Sequence, residues 1–87
     1  MNKTLFLLMA EFGTTAVPLD QCYHYLGYPS IRAAEDAFRS HSLPVPCIRA
    51  RESQKAPKLV MLEDLAEYLD QQANAGRELF RQIRSAA

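Results

Sequence analysis

The chain has 87 residues, 48% apolar and 23% charged, enough for one small domain over 1–87 and too few for a second core. Ten Lys and Arg balance ten Asp and Glu, a neutral total that argues against a protein which simply coats nucleic acid. The longest apolar run, 5–10, is too short to span a bilayer, and no basic leader with a small-residue cleavage site is legible, so a cytoplasmic protein without a membrane partner is expected.

Asn2 or Thr4 can cap a first helix within 1–13, in which Leu5, Leu8, Met9 and Phe12 keep the i, i+3, i+4, i+7 spacing and Gly13 supplies the stop. Phe6 and Leu7 fall off that stripe. The helix is therefore apolar on more than one side, which reads either as extra cover for a small core or as an oligomerisation surface centred on Leu5, Leu8 and Phe12. Residues 14–17 are β-prone and short enough for an edge strand.

Pro18 suits the opening of the next helix, with Leu19, Cys22, Tyr23 and Leu26 facing inward and Asp20, Gln21, His24 and Tyr25 outward; Gly27 makes the turn. Ser30 caps the following helix, whose Ile31, Ala34 and Phe38 should enter the core while Arg32, Glu35, Asp36 and Arg39 point away. Together these occupy 17–42. Pro44 and Pro46 then impose extended geometry. Two β-prone runs, 46–50 and 58–61, flank a polar loop at 51–57 to give a ribbon over 46–61, with Cys47 and Arg49 on one face and Ile48 and Ala50 on the other.

Over 62–87, Glu63 and Asp64 suit the first turn of a helix with Leu62, Leu65, Ala66 and Leu69 inside. The stripe continues through Ala73, Gly76, Phe80 and Ile83. Either the helix ends near 74–76 and a new one follows, or it runs through the glycine at a cost of about 1 kcal/mol. In both cases Leu79, Phe80 and Ile83 need cover, and a second subunit supplies it, giving a homodimer or higher oligomer.

The order helix, turn, helix, ribbon, helix predicts a mainly α fold with a small β-ribbon: a winged helix-turn-helix with an added N-terminal helix and an extended C-terminal one. Such a domain most often reads duplex DNA, with the second motif helix in the major groove. The charge pattern agrees, because residues 29–58 carry Arg32, Arg39, Arg49, Arg51, Lys55 and Lys58 against Glu35, Asp36 and Glu52. The candidate DNA-binding residues are Ser30, Arg32 and Arg39 on the helix, and Arg49, Arg51, Ser53, Gln54, Lys55 and Lys58 on the ribbon, the latter spaced for phosphates. Glu35 and Asp36 either accept from a cytosine amino group or face aside.

Catalytic and metal chemistry are not expected. Cys22, His24, His41 and Cys47 lack metal-ligand spacing, the three glycines form no phosphate loop, and the acid pairs Glu35–Asp36 and Glu63–Asp64 lie on exposed helix positions. No cofactor site is legible, and the two cysteines should be free thiols.

With these elements placed, the segments TLFLLMAEF, VPLDQC, LPVPCIR, ESQKA and LEDLAEYLD, in that order, give a chain that resembles the pyocin activator protein family, PrtN-like regulators of bacteria and their prophages. More loosely it is similar to excisionases and to the DNA-binding domains of MerR-type regulators. The resemblance implies a transcriptional activator that binds a promoter element of a bacteriocin or phage-tail-like gene cluster, at the nucleoid when bound, with RNA polymerase as a further candidate partner. Two other readings stay open. One is an excisionase-like architectural protein that bends its site; the other is a protein-interaction module, an antirepressor or adaptor, that binds no DNA.

Overall fold

The computed structural model describes residues 2–53 and 56–86. Helix α1, Lys3–Phe12, starts at Asn2, whose Oδ1 accepts from the Leu5 amide at 3.1 Å, and ends at Gly13 in the left-handed conformation (φ 67°). Strand β1, Ala16–Pro18, leads directly into α2, Leu19–Cys22. Helix α3 is Ile31–Arg39, strand β2 is Ile48–Arg49, strand β3 is Lys58–Met61, and α4 is Leu62–Ala86. The chain is thus mainly helical with a small antiparallel sheet of three strands in the order β1-β3-β2.

The helix expected after Pro18 is shorter than its apolar spacing suggests. After one turn of α2 the chain tightens into a 3-10 turn, Tyr23–Leu26, closed by Gly27 at φ 90°. Three consecutive aromatic rings, Tyr23, His24 and Tyr25, favour an α-helix poorly, and the Gly27 amide bonds back to the His24 carbonyl at 3.1 Å. Tyr25 does not simply face solvent. Its hydroxyl donates to Glu11 at 2.7 Å, and its ring meets Phe12 edge-on with centroids 6.0 Å apart.

In the sheet Val17 pairs with Val60, both fully buried, and Arg49 lies directly across from Lys58. Bonds from the Leu62 amide to the Thr15 carbonyl and from the Ala50 amide to the Pro57 carbonyl, each 2.9 Å, extend the two pairings by one step. The first ribbon strand is two residues rather than the expected 46–50, because Pro46 has no amide to donate and Pro44 fixes the approach. The core forms where the sheet, α2, α3 and the first half of α4 meet, around Val17, Leu19, Cys22, Ala34, Val60, Leu62 and Leu65. Helix α1 lies along α4 and is pinned there by Asp70, which accepts from Asn2 Nδ2 and Thr4 Oγ1, both at 2.6 Å.

Two expectations change, and one that was open is decided. Leu8 is buried, and Leu5 and Phe12 pack against the core, so the chain itself covers these proposed oligomerisation residues; α1 instead exposes Phe6 (58%) and Leu7 (55%). Phe38 is only half-buried and outside the core, whereas the smaller Ala37 joins Ala34 in facing inward. Finally, α4 runs unbroken through Gly76, and its last turns project with Leu79, Phe80 and Ile83 exposed.

Candidate nucleic-acid interface

Arg39, Arg49, Arg51 and Lys58 converge where α3 passes the β2–β3 pair. At the start of α3 the Ser30 Oγ accepts from the Ala33 amide at 3.1 Å, so this hydroxyl is first of all a helix cap. Arg32, in the first turn, is exposed. The end of α3 is closed by two bonds, from the His41 amide to the Phe38 carbonyl at 3.2 Å and from the Ser42 amide to the Ala37 carbonyl at 2.8 Å. That is the Schellman pattern, and it forces the residue after the cap into the left-handed region. Glycine is usual there; here it is His41, at φ 58°.

Phe38 is the hub. The Arg49 guanidinium carbon lies 5.4 Å from its ring centroid and Lys58 Nζ lies 5.5 Å from it, both within cation–π range. The two cations face each other across the β2–β3 register, where like charges repel, and the ring between α3 and the strands holds both. Glu35 relieves the repulsion, its Oε2 accepting from Lys58 Nζ at 3.3 Å. On the next exposed position of α3, Asp36 pairs with Arg39. Both carboxylates on the expected recognition helix therefore have a cation from their own chain, which favours the reading in which they face aside.

Lys58 is more enclosed than Arg49 and Arg51: its side chain is 16% exposed, so it is an organiser of this surface before it is a free phosphate ligand. Arg49 borders a groove of about 580 Å³ with Phe38, Arg39, His41, Cys47 and Ile48, and meets Arg51, Glu52 and Ser53 around an adjoining hollow. Gln54 and Lys55 lie outside the described residues. The structure thus gathers Arg39, Arg49, Arg51, Ser53 and Lys58 around the end of α3 and the strands, with Ser30 and Arg32 at the opposite end of the helix. Phe38 and His41 were not anticipated. The signal for Phe38 is an aromatic near a helix end followed by a strand pair carrying an Arg and a Lys.

No nucleophile stands out. Burial pushes the Cys22 thiol up to about 11, and burial also raises the half-buried Cys47, with Lys58 opposing the rise. Both cysteines are free. Among the described residues no cluster of three or more His, Cys, Asp or Glu could hold a metal ion, and no helix is long and apolar enough to cross a membrane.

Neither a curated protein nor a solved structure matches the chain. The family model described as pyocin activator protein PrtN matches residues 4–76, from the first turn of α1 to Gly76 within α4, and on that match the chain belongs to the pyocin activator family.

Proposed function

We propose that the chain is a sequence-specific DNA-binding transcriptional activator of a pyocin-type gene cluster, working as a winged helix-turn-helix. Membership of the activator family supports the regulatory role, and an enzyme is not expected in it. The observation that carries the DNA reading is the convergence of Arg49 and Lys58 on Phe38 beside α3, with Arg51 and Arg39 flanking it. In this reading α2 with its 3-10 turn and α3 form the helix-turn-helix, and β2, β3 and the loop between them form the wing. Arg49, Arg51, Ser53, Gln54 and Lys55 contact phosphate, Lys58 braces the wing against α3, and Ser30, Arg32 and Arg39 face the groove. Two copies read paired half-sites, and RNA polymerase is the partner through which a bound activator acts.

The test is fluorescence anisotropy against labelled DNA from the gene cluster beside this gene, with scrambled competitor, at two salt concentrations. Selective binding that weakens with salt supports the reading, and Arg51→Ala should then weaken binding to every sequence while Arg32→Ala relaxes discrimination. A second reading, a protein-interaction module, draws on the neutral total charge and on the pairing of both α3 carboxylates within the chain. It wins if no DNA is bound at low salt and a protein partner co-purifies. A long footprint with bent DNA would instead mark the excisionase-like architectural protein.

A further inference from the structure

The end of α4 stands clear of the rest of the fold. Ala73 is its last half-buried position, and Leu79, Phe80 and Ile83 beyond it are 57%, 58% and 61% exposed. Gly76 lies inside this overhang. Glycine is a poor choice in a helix interior, and a Cβ added here would meet nothing within 4 Å. Among the described residues nothing calls for a glycine here; a second helix in close approach would.

At about 100° per residue, Ala73, Gly76, Phe80 and Ile83 form one stripe, continuous with the inner face of α4. Along the helix their sizes run small, small, large, large. An antiparallel copy presents the reverse order, setting Phe80 against Gly76 and Ile83 against Ala73, both pairs symmetric about position 78. A parallel copy would stack Phe80 on Phe80 and leave a void at Gly76. Charge selects the same direction. With symmetry about 78, Arg84 falls opposite position 72 and so within about one turn of the partner's Asp70, whereas a parallel copy in register sets arginine against arginine at 77, 81 and 84. With symmetry about 78, residue 86 comes level with the partner's residue 70, where Asn2 and Thr4 hold the start of α1.

We propose that a second copy of the chain docks antiparallel on the α4 overhang, residues 73–86, with Phe80 seated on the partner's Gly76 and Ile83 on the partner's Ala73. This deepens the paired half-site reading and rests on it for its purpose, while the contact itself needs no DNA.

Sedimentation equilibrium without DNA on wild type, Gly76→Phe and Phe80→Ala tests the packing. Both substitutions raise helix propensity, so lost association cannot be lost helix. Wild type is expected to dimerise and each variant to associate at least about tenfold more weakly, from bulk on bulk or hole on hole. An equimolar mixture of the two variants should recover the dimer, since the large residues of one chain meet the small ones of the other. Direction is read with a short bis-maleimide on Ala73→Cys and Ile83→Cys, with wild type as control for the native thiols. Antiparallel docking cross-links the mixture and neither variant alone. Cross-linking of each variant alone, or a wild type that stays monomeric at micromolar concentrations, overturns the proposal. Anisotropy on the same samples keeps the two ideas apart: a monomer that binds DNA selectively refutes only the docking, and a dimer that ignores DNA refutes only the DNA reading.

Discussion

Replacing Glu35 with Gln should lower stability and strengthen DNA binding at once. The Glu35 carboxylate lies 3.3 Å from Lys58 Nζ, with side chains 36% and 16% exposed. Unscreened, such a pair is worth roughly 5 kcal/mol at an effective dielectric of 20; solvent exposure and side-chain ordering reduce the net to about 1 kcal/mol. Removing the charge also leaves Lys58 directly opposite Arg49 on the same ring, adding a like-charge cost of roughly 0.2–1 kcal/mol. The sum, about 1–2 kcal/mol, should lower the melting temperature by roughly 5–10 °C in a domain of this size. On the DNA side the face gains one positive charge, which should steepen the slope of log K against log salt by about 0.9. Between 50 and 200 mM salt that adds roughly a threefold loss of affinity to whatever wild type shows. Thermal melts and anisotropy at several salt concentrations read both quantities. Glu67→Gln, on the exposed side of α4, is the control and should move neither. A loss of stability with an unchanged salt slope would refute the claim that Lys58 belongs to a DNA-facing surface. No loss of stability would refute the pair itself.

Other consequences can be checked separately. His41→Gly should stabilise the fold by about 0.5–1 kcal/mol in a thermal melt, because the left-handed position costs a side-chain-bearing residue about 1–2 kcal/mol and glycine's larger unfolded entropy returns part of the gain. A loss would mean that the imidazole makes a contact worth more than the strain. The Asp70 carboxyl is held below its ordinary 3.8 first by the Thr4 and Asn2 donors, with Arg77 assisting. A depressed carboxylate contributes stability that is present above 3.8 and lost as pH falls through the lower folded value. Hydrogen exchange of the α1 amides should therefore accelerate in that acid range, and Asp70→Asn should abolish the pH dependence. Cys22, with its thiol near 11, should resist alkylation at pH 8 in the native protein and react only on unfolding, with Cys47 modified first.

Periodicity shows what faces the core more readily than it shows what faces a ligand. Leu19, Cys22, Leu62 and Leu65 repeat at helical spacing and are buried, and the caps Asn2, Gly13, Ser30 and Gly27 stand where their backbone chemistry requires. Phe38 fits the same spacing as Ile31 and Ala34, yet it turns to the strands. Its position depends on where Arg49 and Lys58 arrive, and that is a long-range register no local pattern encodes. The same limit applies to α1, where Leu5, Leu8 and Phe12 are spaced equally well for a core or for a partner. Only the docking against α4 through Asp70 decides which face is covered. The acidic pair on α3 was ambiguous for a related reason, because its cations sit three residues away in one case and across the fold in the other.

The pairing of acids with bases around α3 bears on why a second copy would matter. Arg39 and Lys58 are engaged by Asp36 and Glu35, which leaves Arg32, Arg49 and Arg51 as the cations of this face without a carboxylate partner among the described residues. If the proposed phosphate cations Arg49, Arg51 and Lys55 each meet one phosphate, one chain has a salt slope of only about −2.7, typical of weak and poorly selective binding. Two chains joined through their overhangs double that to about −5.4 and convert the second half-site into an intramolecular event. A neutral protein with a lightly charged face would then discriminate by requiring two sites at a fixed spacing rather than by attraction to any duplex. Gly76→Phe separates the two contributions. It leaves α3 and the strands untouched, so binding to a single half-site should be retained at the shallow slope. Binding to a paired site should fall to the single-site value. Equal loss on both sites would mean that the overhang touches DNA itself.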